Sequence, residues 1–325
     1  DAGADWDEQS SNSMRIQIFV TEIDPPIPND MSLIPAGSFQ KGDDASSYYG
    51  GTVEMLYLDN FYAGRYEVTK SKWDEVVSWS KTNYLNGGNW YAIGDSVHNG
   101  TTFVPITDGQ VPNHPVYGLH GLNIAIWCNA RSEMEGRTPC YTQNGEVYRY
   151  FRGMTSEMEL VVCDFTANGY RLPTSDEWEK AARGGLTGKL FPWGDKISHA
   201  NANYKEVYDH EFNAPYINGS EADIQDGSNR GHHDSFDRTG ETYPYTTNEP
   251  FFSPPGSFAP NGYGLYDVVG NVDDLTWDCE VTRTHLADGF RTRGGDYDSA
   301  ADRCLLTRWS SNISFNGSFG VAPNY

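Results

Sequence analysis

One segment, LPTSDEWEKAARGG at residues 172–185, constrains the fold most, because it specifies both ends of a helix. Thr174 and Glu177 have the spacing of a capping box, in which each side chain accepts a hydrogen bond from the other residue's backbone N–H. Gly184 is suited to the left-handed conformation that ends many helices. The segment therefore predicts a short helix that begins after Thr174 and ends before Gly184.

Two further segments predict helices. KSKWDEVVSW (70–79) carries apolar residues at helical spacing, and Thr69 precedes it as an N-cap. NIAIWCNARSEMEG (123–136) predicts an amphipathic helix that ends at Gly136. No other part of the chain predicts a helix of comparable length.

The remaining patterned segments predict short strands. RIQIFVTEI (15–23) alternates in polarity, as a strand does. MSLIPAGSFQKG (31–42) predicts one short strand that closes in a glycine turn, and MLYLDNFYAGRYEVT (55–69) predicts two strands around an Asp-Asn turn. Few short helices among many short strands indicate an irregular α+β fold and not a doubly wound sheet.

The organisation of the chain follows from where these patterns begin and stop. Residues 1–30 predict an N-terminal arm or linker, because three prolines follow the strand-like segment. Residues 31–325 predict one domain, with insertions at about 137–168 and 205–250. The second insertion is polar and long enough to favour a functional or mobile loop.

The charge balance excludes several classes of partner. The chain has 45 acidic and 23 basic residues and a formal net charge of −22. Phosphate binding needs a basic face, so we expect no binding of nucleic acid or anionic membrane. No apolar run reaches the length of a membrane span, so we expect no membrane insertion. The acidic balance suits divalent cations and extracellular surfaces.

The five cysteines show no zinc-binding spacing. They are Cys128, Cys140, Cys163, Cys279 and Cys304, and an odd number leaves at least one thiol unpaired within the chain. Cys140 and Cys163 flank the first insertion. We therefore predict a disulfide between them if the protein resides in an oxidising compartment.

The order of seven motifs makes this chain resemble the formylglycine-generating enzyme (sulfatase-modifying factor) family. The resemblance extends over residues 31–325 and implies that family's fold, which is irregular and related to C-type lectins. The motifs, in chain order, are MSLIPAGSF, FYAGRYEVT, NHPVYGL, GYRLPTSDEWEKAARGG, FPWGD, SFAPNGYGLYDVVGN and RGGDY.

The positions that carry activity in this family depart from its pattern. The resembling enzymes oxidise a sulfatase cysteine with Cu(I) held by two cysteines, and these positions match Cys304 and Trp309. An indole cannot replace a thiolate ligand. Asp273 stands where the family has an active-site tryptophan, and it would bring a negative charge. We therefore expect Cys304 to be a buried apolar residue, and copper binding and catalysis to be absent.

The resemblance also implies structural calcium. The residues that match the ligands of one family site are Asp267, Gly270, Val272 and Asp274, and those that match part of a second are Asn203 and Tyr204. Carboxylate and carbonyl oxygens suit Ca2+. The alternative is that Asp267 and Asp274 only cap turns.

Two functions remain open. The first is a calcium-stabilised, non-catalytic binding or structural protein, extracellular or on the cell surface, with a protein or cell-surface ligand and with self-assembly open. The resemblance supports it, since the same fold carries ligand-binding proteins whose C-terminal segment varies. Asp273, Tyr297 and Trp309 are the candidate ligand-binding residues. The alternative is a copper-dependent oxidase that uses Cys304, alone or with Cys279, to convert a sulfatase cysteine to formylglycine.

Overall fold

The structure is a computed structural model, and only part of the chain is described. The described residues are 14–15, 19–20, 26–42, 53–93, 97–98, 103–104, 111–117, 119, 121–150, 161–204, 252–278, 290–297, 299, 301 and 303–310. The second predicted insertion, the C-terminal segment after Ser310 and Cys279 lie outside these residues.

Three helices are present in the described part of the chain: α1 (Lys70–Leu85), α2 (Gly121–Met134) and α3 (Ser175–Arg183). The prediction for α3 is confirmed, since Thr174 and Glu177 form the capping box and Gly184 has a φ of 58°. Thr69 caps α1 by accepting a hydrogen bond from the backbone N–H of Lys72. Both N-terminal caps thus lie where the local sequence placed them.

The other helix boundaries differ from the prediction for physical reasons. Helix α1 continues past Trp79 to Leu85, because Ser80 is buried and its hydroxyl bonds the carbonyl of Tyr91. Helix α2 is not amphipathic, because every residue from Gly121 to Ser132 is buried. In the described part of the chain, no helix is both long and apolar enough to cross a membrane.

The strands are short, as predicted, and they form several small sheets. In chain order they are β1 (Met14–Arg15), β2 (Phe19–Val20), β3 (Met31–Ile34), β4 (Gly37–Lys41), β5 (Glu54–Leu58), β6 (Phe61–Gly64), β7 (Val97–His98), β8 (Phe103–Val104), β9 (Tyr141–Gln143), β10 (Glu146–Val147), β11 (Val161–Cys163), β12 (Asp273–Trp277), β13 (Phe290–Arg293) and β14 (Trp309–Ser310). The irregular α+β class is confirmed.

Sheet pairing connects distant parts of the chain. The largest described sheet has the order β1-β12-β13-β14, with β1 parallel to β12 and the other pairs antiparallel. A second sheet has the order β2-β6-β3, so both short strands near the N-terminus add to sheets of later residues. The first predicted insertion contains the three-stranded sheet β10-β9-β11.

One predicted strand arrangement needs correction, and another is confirmed. The segment 31–42 forms two strands, β3 and β4, because Pro35 lies between them and cannot continue a ladder. The two strands predicted around the Asp-Asn turn are present as β5 and β6. They pair with other strands and not with each other: β5 pairs with β4, and β6 pairs with β3.

The hydrophobic core has two clusters that meet near β12. The first surrounds α1 and α2, where the rings of Trp73 and Trp127 stack with centroids 5.4 Å apart. The second surrounds α3 and contains Trp178, Phe191 and Cys304. The chain from residue 265 to 277 passes from the second cluster to the first, which ties this segment to both halves of the core.

The predicted disulfide between Cys140 and Cys163 is absent, and both residues are free thiols. Cys163 lies opposite Tyr141, whereas the carbonyl of Cys140 accepts a hydrogen bond from the backbone of Asp164. The two cysteines are therefore one residue out of register, so their side chains leave opposite faces of the sheet. Burial raises the pKa of the Cys140 thiol to about 12.

Candidate functional site

The segment that leads into β12, residues 267–274, turns sharply and is held close to the chain at Asn203. Asp267, Gly270 and Asn271 have φ values of 53°, 78° and 67°. A Cβ atom at Gly270 would lie 2.3 Å from the carbonyl oxygen of Asn203, so only glycine fits. We call residues 267–274 the candidate calcium loop.

Asn271 is the central residue of this loop and is completely buried. Its amide nitrogen donates to both carboxylate oxygens of Glu67, at 3.0 and 2.8 Å, and to the carbonyl of Ser253. Its amide oxygen accepts hydrogen bonds from Asn203 and from Ser253. The Asn271 backbone also bonds Asn203 and Tyr297. This one residue therefore joins its own loop to four segments that are far apart in the sequence.

Asn271 is not among the site residues predicted from the sequence. The signal that would have revealed it is a lone amide side chain within the apolar run VVGNV, at 268–272. A buried amide in such a run requires several hydrogen-bond partners, and those partners must come from elsewhere in the fold.

The residues predicted to bind calcium are buried around this loop. Asp274 is fully buried on β12, and its carboxylate accepts a hydrogen bond of 2.6 Å from the indole of Trp178. Asp267 accepts one of 2.5 Å from the backbone of Gly256. Within the described residues, no group of three or more His, Cys, Asp or Glu side chains forms a metal site by itself. Any calcium site here therefore depends on backbone carbonyls as well as carboxylates.

The buried oxygen atoms in this region suit calcium chemically. Gly270 and Val272 are part of the loop and each has a backbone carbonyl. Asn203, which bonds Asn271, and its neighbour Tyr204 are both buried. Carboxylate, amide and carbonyl oxygens are hard ligands of the kind that Ca2+ prefers. The donor set therefore fits the ion that the resemblance implies.

Cys304, the remaining cysteine of the family's copper pair, is completely buried in the second core cluster. Its sulfur lies 3.0 Å from the position that a Cβ atom at Gly295 would occupy. This thiol packs as a small apolar group among core side chains.

Trp309, at the second position of the family's copper pair, lies on the surface. It is 48% exposed, and the guanidinium of Arg291 lies 4.4 Å from its ring centroid. The Arg291 Nε atom is 3.7 Å from a carboxylate oxygen of Asp278. Cys304 and Trp309 thus occupy two different environments, one in the core and one facing solvent.

The three residues predicted to bind a ligand do not form one surface. Arg293 on β13 pairs with Asp274 on β12 and with Trp309 on β14. Because side chains alternate along a strand, Asp273 points to the opposite face of the sheet from Trp309. Tyr297 is half-buried, and its ring meets Phe252 edge-on at 4.9 Å.

The surroundings of Asp273 oppose the ionisation of its carboxyl group. Burial raises the pKa of Asp273 well above its usual range, and the nearby carboxylates of Asp296 and Asp274 raise it further. A negative charge at this position is therefore harder to form than on an exposed aspartate. Asp273 also changes the shape and polarity of the position where the family has tryptophan.

A separate cleft, not predicted from the sequence, opens near Glu67. It has a volume of about 330 Å³ and lies between the end of β6 and the start of α1. Its lining includes residues of both charge signs, the acidic Glu67 and Asp30 and the basic Lys72 and Arg131. Glu67 is the residue that connects this cleft to Asn271.

Comparison with known proteins supports the resemblance. The family profile of the sulfatase-modifying factor enzyme 1-like domain matches residues 21–319. The formylglycine-generating enzyme of Mus musculus is 29% identical over 266 residues, which are 80% of this chain and 61% of that protein. A Bos taurus protein named inactive C-alpha-formylglycine-generating enzyme 2 is 34% identical over 137 residues, which are 41% of this chain and 34% of that protein.

A solved structure has the same fold. The variable protein 1 of Treponema denticola superposes with a TM-score of 0.52 and 22% identity, covering 90% of this chain and 92% of that one. The chain spans about three fifths of the length of the mouse enzyme. Because the family profile extends over nearly all of the sequence, the chain belongs to the sulfatase-modifying factor family, to which the formylglycine-generating enzymes also belong.

Proposed function

We propose that this chain is a non-catalytic binding or structural protein that uses the scaffold of the formylglycine-generating enzymes and is stabilised by calcium. The observation that carries the proposal is the state of the copper-pair positions. Cys304 is buried in the core, and Trp309 is exposed under Arg291. A copper site of the family type needs two thiolates that face the same ion.

Relatives of this chain include proteins named as enzymes and proteins named as inactive. The mouse relative is named as a formylglycine-generating enzyme, and a bovine relative is named as inactive. Family membership therefore leaves the activity open, and the residues of this chain must decide. Replacement of a thiolate by an indole at position 309 favours the non-catalytic function over the oxidase.

A copper titration tests this proposal directly. We expect no stoichiometric Cu(I) binding in competition with a colorimetric Cu(I) chelator, because the Cys304 thiol is shielded by the core and position 309 offers no sulfur. The Cys304→Ala variant serves as the control and should give the same titration. One equivalent of tightly held Cu(I) that disappears in Cys304→Ala would favour the oxidase instead.

Two sets of residues would bind calcium. Asp267 and Asp274 would supply carboxylates, and Gly270 and Val272 would supply carbonyls. Asn203 and Tyr204 would contribute to a second site. A bound divalent cation would offset the negative charge that Asp267 and Asp274 bring to the loop and hold the turn in place.

Calcium is expected to raise the stability of the native chain. With free Ca2+ about a hundredfold above its dissociation constant, the gain in unfolding free energy is about 2.7 kcal/mol. The measurement is the melting temperature in Ca2+ and in chelator. Asp274→Asn should lose the response, because the amide still accepts the Trp178 hydrogen bond but lacks the charge, whereas Asp195→Asn on the exposed surface should keep it. Equal melting temperatures of the native chain in both conditions would refute the site.

A further inference from the structure

Two aromatic residues at the end of α1 are open to solvent. Tyr84, in the last turn of the helix, is 56% exposed, and Trp90, just after the helix, is 50% exposed. Their ring centroids lie 6.0 Å apart, and the ring planes are tilted by 48° to each other. The two rings are therefore neighbours, and each residue leaves about half of its surface in water. We call this pair the Tyr84–Trp90 platform.

A tight turn after the helix holds the platform together. The amide nitrogen of Asn83 donates to the carbonyl of Asn89 at 3.1 Å, and the backbone N–H of Gly88 donates to the carbonyl of Asn83 at 2.9 Å. Gly87 has a φ of 82°, a conformation that favours glycine. A Cβ atom at Gly88 would lie 2.4 Å from the side-chain oxygen of Asn83. The turn thus depends on two glycines to bring the second ring back beside the first.

The hydrophobic core does not use these two rings. Neither belongs to the two core clusters, and the chain is anchored here by the buried Tyr91, whose backbone N–H donates to the Ser80 hydroxyl at 3.2 Å. The glycines of the turn also lose more backbone freedom on folding than other residues would. Contiguous apolar surface that is left in water is typical of an interaction site.

The polar side chains of this turn are neutral amides, from Asn83, Asn86 and Asn89. Asn86 and Asn89 are exposed. The Asn89 amide nitrogen donates to a carboxylate oxygen of Glu133 at 3.4 Å, and the same oxygen accepts a hydrogen bond of 2.6 Å from Arg149. No described residue donates to the side-chain oxygen of Asn89. The turn therefore offers amide groups that can still form hydrogen bonds beside two aromatic rings.

This combination matches the chemistry of a sugar. The C–H faces of a sugar ring pack against the faces of aromatic rings, which are apolar and carry partial negative charge. Sugar hydroxyl groups both donate and accept hydrogen bonds, and an amide side chain does the same. An apolar protein surface would leave the amides unpaired, and the net charge of −22 opposes an anionic ligand. The amides and the charge together favour an uncharged saccharide.

We propose that the Tyr84–Trp90 platform binds an uncharged saccharide, with a sugar ring packed on Trp90 and hydroxyl groups bonded to Asn86 and Asn89. This inference goes beyond the proposed function, because residues 83–90 include none of the copper-pair positions and none of the residues that would bind calcium. Saccharide binding should therefore be the same in Ca2+ and in chelator, and its outcome is separate from that of the copper titration.

Isothermal titration calorimetry of the full chain with cellohexaose, mannohexaose and chitohexaose tests the proposal. We expect at least one of these oligosaccharides to bind, and we expect Trp90→Ala to raise its dissociation constant about tenfold or more, because the stacked ring is lost. Trp90→Phe keeps an aromatic ring and should retain most of the affinity. Tyr57→Ala is the matched control, because Tyr57 is 64% exposed but lies on β5, and it should leave the affinity unchanged.

Several results would overturn the proposal. One is that none of the three oligosaccharides binds, and another is that Trp90→Ala binds as well as the native chain. Binding that is lost in chelator would place the saccharide at a calcium site instead. Sedimentation examines a different occupant: self-association of the native chain that Trp90→Ala abolishes, without saccharide binding, would assign the platform to a second copy. Circular dichroism of each variant checks that it is folded.

Discussion

The chain is expected to produce no formylglycine from a sulfatase-type peptide that contains cysteine, even with copper and oxygen supplied. The physical reason is that Cys304 is buried in the core, whereas the second position of the copper pair is an exposed tryptophan on the edge strand β14. A single thiol lacks the second sulfur ligand that retains Cu(I) against competing cellular thiols. The measurement is the mass change of the peptide on conversion of cysteine to the aldehyde.

Two variants make this result interpretable. Cys304→Ala should be indistinguishable from the native chain, and turnover of the native chain clearly above that variant would restore the oxidase function. Trp309→Cys should not recover full activity, because Cys304 would remain in the core and Asp273 would still replace the family's tryptophan. Efficient turnover by Trp309→Cys alone would show that a thiol at position 309 is sufficient to complete the copper site.

Glu179→Ala is expected to destabilise the fold by about 3–5 kcal/mol, because it leaves two buried guanidinium groups without their shared carboxylate. Glu179 pairs with Arg183 at 2.6 Å and with Arg293 at 3.0 Å, and all three side chains are almost fully buried. Its carboxylate also accepts a hydrogen bond from the backbone of Gly42. Urea unfolding followed by circular dichroism measures the loss.

The matched control is an ion pair of similar length on the surface. The Lys189 Nζ atom lies 2.6 Å from a carboxylate oxygen of Asp195, and the two side chains are 42% and 48% exposed. Lys189→Ala should therefore lower the free energy of unfolding by less than about 1 kcal/mol. Arg293 also stacks over Trp178, so Arg293→Ala should be at least as damaging as Glu179→Ala. If Glu179→Ala and Lys189→Ala cost the same, the buried network would not be a main support of the fold.

Local features of the fold could be predicted from the sequence, and long-range ones could not. The capping box at Thr174 and Glu177 is a property of a few adjacent residues, and it is confirmed. The pairing of β5 with β4, and not with β6 across the Asp-Asn turn, depends on the whole fold. The burial of α2 on all sides could not be predicted from the helical pattern either. It depends on hydrogen bonds from its polar residues Asn129 and Arg131 to residues outside the helix.

The candidate site shows the same division. The exchange of cysteine for Trp309 was visible in the sequence once the motifs were aligned with the family. The placement of Asp273 and Trp309 on opposite faces of the sheet was not, because it depends on the register of β12, β13 and β14. The raised pKa of Asp273 could not be predicted either, because it arises from burial and from the carboxylate of Asp296, which lies close in the fold but more than twenty residues away in the sequence.

The hydrogen bonds of Asn271 bear on how this scaffold can diversify. Asn203 and Ser253, which precede and follow residues 205–251, both bond the same Asn271 side chain. The two ends of that stretch are therefore joined by the fold itself, whatever lies between them. Relatives whose chains differ in length between Asn203 and Ser253 can therefore keep the same joint, because the hydrogen bonds described at Asn271 come from residues outside that stretch.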